Sequence, residues 1–158
     1  MNTIDEFFRS MNNWFHLIVG APLIVFVLIY LELENGHPGF FGDRALTADI
    51  FIITAISAVV IFWGSRKYRR GIKASWNLEE LDHKLALFRN VVLVRATCYT
   101  IAGVLALLWM YLAAHKGFAI IYFVSLFLAS INRPDLVTMN NQLRLKGEDM
   151  EKVIHKKE

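Results

Sequence analysis

Apolar residues along this chain gather into four blocks separated by charged segments: Trp14 to Leu31, about Thr47 to Ser65, Val91 to Ala114, and Gly117 to Ile131. Uninterrupted blocks of this kind predict membrane-crossing helices, because a helix satisfies its own backbone hydrogen bonds where water is absent. At about 1.5 Å per residue against a hydrocarbon core of about 30 Å, the first three are adequate spans. The fourth reaches only about 23 Å, so Lys116 and Asn132 must snorkel or the bilayer must thin.

The segments between and beside the blocks carry a different period. In residues 1–13, Ile4, Phe7, Phe8 and Met11 recur at helical spacing with Asp5, Glu6 and Arg9 between them. This predicts a short interfacial helix, jointed to the first span at Asn12 and Asn13, with Trp14 at the headgroup level. The 66–90 segment reads as a charged loop that passes into helix. Asn77 and Glu80 stand at capping-box spacing, and Leu78, Leu81, Leu85, Phe88 and Val92 follow at steps of three and four. With no Gly or Pro between Asn77 and Gly103, one helix is predicted from about Leu78 to Ala114, projecting from the membrane. After Asn132-Arg133-Pro134-Asp135, Leu136, Met139 and Leu143 line one face of an amphipathic tail (residues 132–158) and are expected to cover part of Leu81, Leu85 and Phe88.

The fold class expected is therefore all-α: an integral membrane four-helix bundle over residues 14–131, with a long third helix projecting into the cytoplasm and amphipathic helices at both ends. Composition agrees, since 56% hydrophobic residues in a 158-residue chain exceed what a soluble core of that size usually hides.

Charge sets the orientation. Thirteen Lys and Arg residues lie in the 66–90 segment and the tail, against Arg44 and Lys116 on the opposite side. Retention of positive charge on the cytoplasmic face puts both termini inside, in a membrane of the bacterial inner-membrane type. The basic pI follows from this topology, and no nucleic-acid partner is needed to explain it. The first block has the length of a span and lacks a basic n-region, so it is expected to remain in the mature protein.

Arg95 stands out, one turn inside the third block. It shares a side with Leu81, Phe88, Val92, Tyr99 and Ala102, so it faces a partner helix, and its stem can reach the cytoplasmic boundary. There the guanidinium is expected to snorkel to lipid phosphate or to meet water or a carbonyl, and the best available polar side chain nearby is His16. With Arg66, Lys67, Arg69 and Arg70, Arg95 forms the candidate lipid- or anion-binding set. In the first block, Pro22 deprives the carbonyl of Ile18 of its amide donor and predicts a kink.

Catalytic chemistry finds little support. Cys98 is the one cysteine, so thiol–disulfide exchange within the chain is excluded, and it reads as a small packing residue. The five histidines do not pair within a span as a haem would require. His37 and His115 with Asp43 or Asp49 lack a diagnostic metal spacing, and Asp49 is expected to cap the second helix. No cofactor and no metal are expected. The expected role is a non-enzymatic accessory or assembly subunit that binds membrane lipids and either other membrane subunits or a second copy of itself. Phe7, Phe8, Leu81, Leu85, Phe88, Leu136, Met139 and Leu143 are the candidate contact residues. The competing class is a small oligomeric transporter or channel, with a polar path near Pro22 and Arg95 that includes Thr54, Ser57, Thr97 and Thr100.

Overall fold

A computed structural model of the chain describes residues 4–36, 39–40, 46–78 and 80–143, without the side chains of 4–6, 46–47, 136–137 and 140. These residues form α1 (Ile4–Glu34), α2 (Leu46–Ser75), α3 (Leu81–Leu112), α4 (Phe118–Ile131) and α5 (Leu136–Leu143). Among the described residues there is no strand. Three of the helices, α1, α2 and α3, are long and apolar enough to cross a membrane; α4 is apolar but shorter.

Three boundaries differ from expectation. First, α1 runs unbroken through Asn12 and Asn13, with no joint before Trp14. Phe7, Met11 and Phe15, four residues apart, are all buried and carry one apolar stripe across the two asparagines. Second, α2 continues ten residues past Ser65 to Ser75, so the first part of the expected 66–90 loop is helical. The basic run is helical because its inward positions, Tyr68, Ile72 and Ser75, are buried while its cations point outward. Third, α3 begins at Leu81, with Glu80 at its N-cap making no side-chain capping bond. Asn77 lies in the turn after α2, its amide donating to the carbonyl of Ala74 at 3.3 Å. Glu80 instead meets His83 Nδ1 at 2.8 Å.

Packing centres on α3. Half of its apolar window is buried, against 11% for α1 and 17% for α2. The helices α1, α2 and α4 all pack on α3, whereas α1 and α2 scarcely touch each other. The contact with α2 is close because α2 offers glycines. A Cβ on Gly64 would stand 2.7 Å from the Cβ of Cys98, and one on Gly71 would overlap a Val91 methyl. Cys98 is free and buried in this seam, as its reading as a packing residue anticipated.

Two apolar cores sit at opposite ends. One joins Phe7, Met11 and Phe15 of α1, Tyr68 and Ile72 of α2, Leu85 to Ala96 of α3, and Met139 and Leu143 of α5. The other joins Ile53, Ala106, Leu107, Met110, Phe118 and Tyr122, with Phe26 and Ile29 against it. Consequently α1 and α3 run in the same direction, and α2 and α4 run opposite. Outside the cores the surface is apolar: Ile24, Val59 and Phe127 are 68%, 67% and 64% exposed. Such a shell is unfavourable in water and natural in hydrocarbon.

At the end remote from Arg95, the turn between α3 and α4 is tied down. Ala114 adopts φ of 48°, a left-handed conformation that closes α3. The Phe40 amide donates to the Leu112 carbonyl at 2.7 Å. Gly39 makes this approach possible, because a Cβ there would lie 2.9 Å from that of Ala114. Lys116 pairs with Glu34 and lies 5.3 Å from the Tyr30 ring centre, so it has a protein partner and does not only snorkel.

Candidate functional site

Arg95 lies where α2, α3, α4 and α5 converge. From α3 its Nη2 donates to the carbonyl of Asn132 at 2.7 Å. Asn132 is the C-cap of α4, and its own Nδ2 donates back to the Leu128 carbonyl at 2.7 Å. The last carbonyls of a helix lack intrahelical donors and mark the negative end of its dipole, so a cation there meets both needs. The guanidinium also lies 3.8 Å from the centre of the Tyr68 ring on α2, a cation–π geometry. The Tyr68 hydroxyl in turn donates to Oε1 of Gln142 on α5. Trp76 Nε1, just beyond α2, donates to the Gln142 carbonyl at 2.8 Å. A single chain of contacts thus ties the end of α4 to α3, α2 and α5.

His16 does not supply the partner expected of it. It is exposed on α1, and the described partners of Arg95 are Asn132 and Tyr68. The reason is steric register: the inward stripe of α1 at this level is Met11, Phe15 and Ile18, which leaves His16 on the outer side. Tyr68, Gln142 and Asn132 were not anticipated. The available signal was the phase of Tyr68, which falls on the same inward side of α2 as Gly64 and Gly71 within an otherwise cationic run.

The other candidate residues separate into two groups. Arg66, Lys67, Arg69 and Arg70 are all exposed on α2. Phe7, Leu85, Phe88, Met139 and Leu143 are buried together, with Phe8 and Leu81 packed against them. These apolar side chains therefore cover one another within the chain, and a partner would have to use other faces. Leu136 begins α5, and its side chain lies outside the described residues.

Several polar side chains within the apolar helices are turned to backbone carbonyls. Thr100 Oγ1 donates to Ile18 at 3.1 Å, meeting the carbonyl that Pro22 leaves without its amide. Ser57 reaches the Ala102 carbonyl at 3.5 Å, Thr97 that of Leu93 at 2.9 Å, and Ser125 that of Ile121 at 3.0 Å. Thr54 is exposed. The cavity between Pro22 and Thr100 has about 10 Å³, room for about one water. A larger cleft of about 450 Å³ opens between α1 and α3, lined by Pro22, Val25, Ile29, Val104, Leu108 and Tyr111 among others. It is almost wholly apolar and opens sideways from the bundle.

Of the metal reading, His37 and Asp43 lie outside the described residues. His115 Nδ1 accepts the Gly117 amide at 3.1 Å, and no group of three possible ligands occurs among the described residues. Asp49 lies inside the first turn of α2, where its charge is attracted to the positive end of the helix dipole, instead of at the cap itself. Comparison with protein-family models, curated proteins and solved structures finds no match.

Proposed function

We propose that this chain is a non-enzymatic integral membrane protein, an accessory or assembly subunit that binds lipid and protein partners. In this reading α1 to α4 cross a bacterial inner membrane, the α2–α3 turn and α5 lie in the cytoplasm, and both chain ends are cytoplasmic. The observation that carries it is the apolar surface of the long helices outside the cores, where Ile24, Val59 and Leu108 among others are exposed. Ser57, Thr100 and Arg95, with Ser125 of α4, are used on backbone carbonyls. That arrangement provides a surface for other membrane components, and the polar groups that converge at Arg95 are used on one another and on backbone carbonyls. A transporter would need a path near Pro22 and Arg95; the cavity at Pro22 is water-sized and Arg95 is engaged, which weighs against that alternative.

The test is photo-crosslinking in cells from Val25, Val104 and Leu108 in the α1–α3 cleft. One discrete heteromeric adduct, lost when the probe moves to buried Ala102, is expected. Adducts only with a second copy of the chain, or with lipid alone, would remove the subunit reading. Membrane-impermeant thiol labelling of cysteines introduced at Phe40 and Lys157 checks orientation; labelling from outside is expected at Phe40 and not at Lys157.

A further inference from the structure

The outward face of α2 changes character at one level. At about 100° per residue, Ile52, Ile56, Val59 and Trp63 form a single stripe, and they are 54%, 44%, 67% and 56% exposed. The next turns of the same stripe carry Arg66, Lys67 and Arg70, all exposed. Lys67 Nζ lies 5.0 Å from the centre of the Trp63 ring. Tryptophan favours the headgroup level, so this contact holds the ammonium at the depth of lipid phosphates. The opposite face of α2 is locked against α3 through Gly64 and Gly71, so the helix cannot roll to redistribute these charges. Arg69 lies about 120° around the helix from Trp63, and Lys73 about 15 Å farther along it. Arg95 is already engaged by Asn132 and Tyr68.

We infer that Trp63, Arg66, Lys67 and Arg70 form a binding site for one anionic phospholipid, with its acyl chain along Ile52, Ile56 and Val59 and its phosphate among the three cations. This rests on the membrane reading above and narrows its lipid partner to one face. Charge complementarity selects the headgroup, and the apolar stripe that leads into the cations selects a lipid over a free anion.

The full chain is reconstituted in nanodiscs of phosphatidylcholine containing a minority of phosphatidylglycerol, and retained lipids are counted by native mass spectrometry. The unaltered protein should retain phosphatidylglycerol preferentially. Arg66→Gln with Arg70→Gln should weaken that retention about tenfold or more, whereas Arg69→Gln with Lys73→Gln, which removes the same charge from other positions, should leave most of it. Lys67→Gln alone should give a smaller loss in the same direction, which keeps the test open if the double variant fails to fold. Equal loss in both double variants would show a diffuse charge effect and overturn the site, as would unchanged retention in Arg66→Gln/Arg70→Gln or no preference in the parent. Failure of the chain to enter nanodiscs at all would instead overturn the membrane reading on which the site rests.

Discussion

Replacing Arg95 with Met keeps the apolar stem and removes every donor and the charge. The Asn132 carbonyl at the end of α4 then loses its 2.7 Å bond, and the Tyr68 ring loses the cation 3.8 Å from its centre. A hydrogen bond with a charged partner contributes about 1.5–3 kcal/mol net, and a desolvated cation–π contact about 1–2 kcal/mol. The helix-dipole interaction is already contained in the first figure, and release of a half-buried guanidinium from its desolvation offsets part of the sum. A net loss of about 2–3 kcal/mol is expected, or roughly 5–10 °C in Tm for a chain of this size. Arg95→Lys should fall between, since it keeps the charge without the planar fork. The assay is reversible unfolding in mixed micelles followed by far-UV circular dichroism, with limited proteolysis of α5 as a local readout. A cycle with Tyr68→Leu should show coupling of about 1 kcal/mol. If Arg95→Met unfolds within about 0.5 kcal/mol of the parent, the residue does no more than snorkel to lipid phosphate, and the junction described here is not a stabilising one.

Gly64→Ala should destabilise by about 1–3 kcal/mol despite better helix propensity, because its Cβ would meet that of Cys98 at 2.7 Å; Cys98→Gly in the same chain should restore part of the loss in the same unfolding assay. Ala114→Gly should stabilise by about 1 kcal/mol, since the φ of 48° there suits glycine better than alanine, and an unchanged or lower Tm would count against the left-handed cap. The hydrogen bond that the Lys116 ammonium donates to the Glu34 carboxylate raises the lysine above its ordinary pKa. Stabilisation from a raised pKa is complete below the ordinary value and fades as pH rises through the folded one. Lys116 should therefore acetylate more slowly than other exposed lysines at mildly alkaline pH, and Glu34→Gln should abolish that protection.

Hydrophobic period made the long helices legible, and with them the meeting of Leu85 and Phe88 with Met139 and Leu143. Where charge and period conflicted, the period was the better guide. The run Ser65-Arg66-Lys67-Tyr68-Arg69-Arg70-Gly71 has the composition of a loop, yet Gly64, Tyr68, Gly71 and Ile72 repeat at helical spacing and pack toward α3. Asn12 and Asn13 look like a hinge, but the apolar residues four apart on either side continue one stripe through them. The Arg95 junction was legible only in part. That the residue faces a helix follows from its phase, whereas its partners come from three separate elements, and one of them is a backbone carbonyl that no side-chain pattern encodes. His16 is polar and near in level, but level alone does not fix azimuth around a helix.

The hub position of α3 bears on how the protein is made. In the membrane reading proposed above, α1 and α2 emerge first during synthesis, and each can persist as a lone helix in lipid because its backbone is internally bonded. They scarcely contact one another, so neither can select the other's orientation or depth. Only when the third helix arrives does either acquire a neighbour to pack on, and a nascent chain stalled after Ser75 should remain two independent helices, open to capture by quality-control proteases.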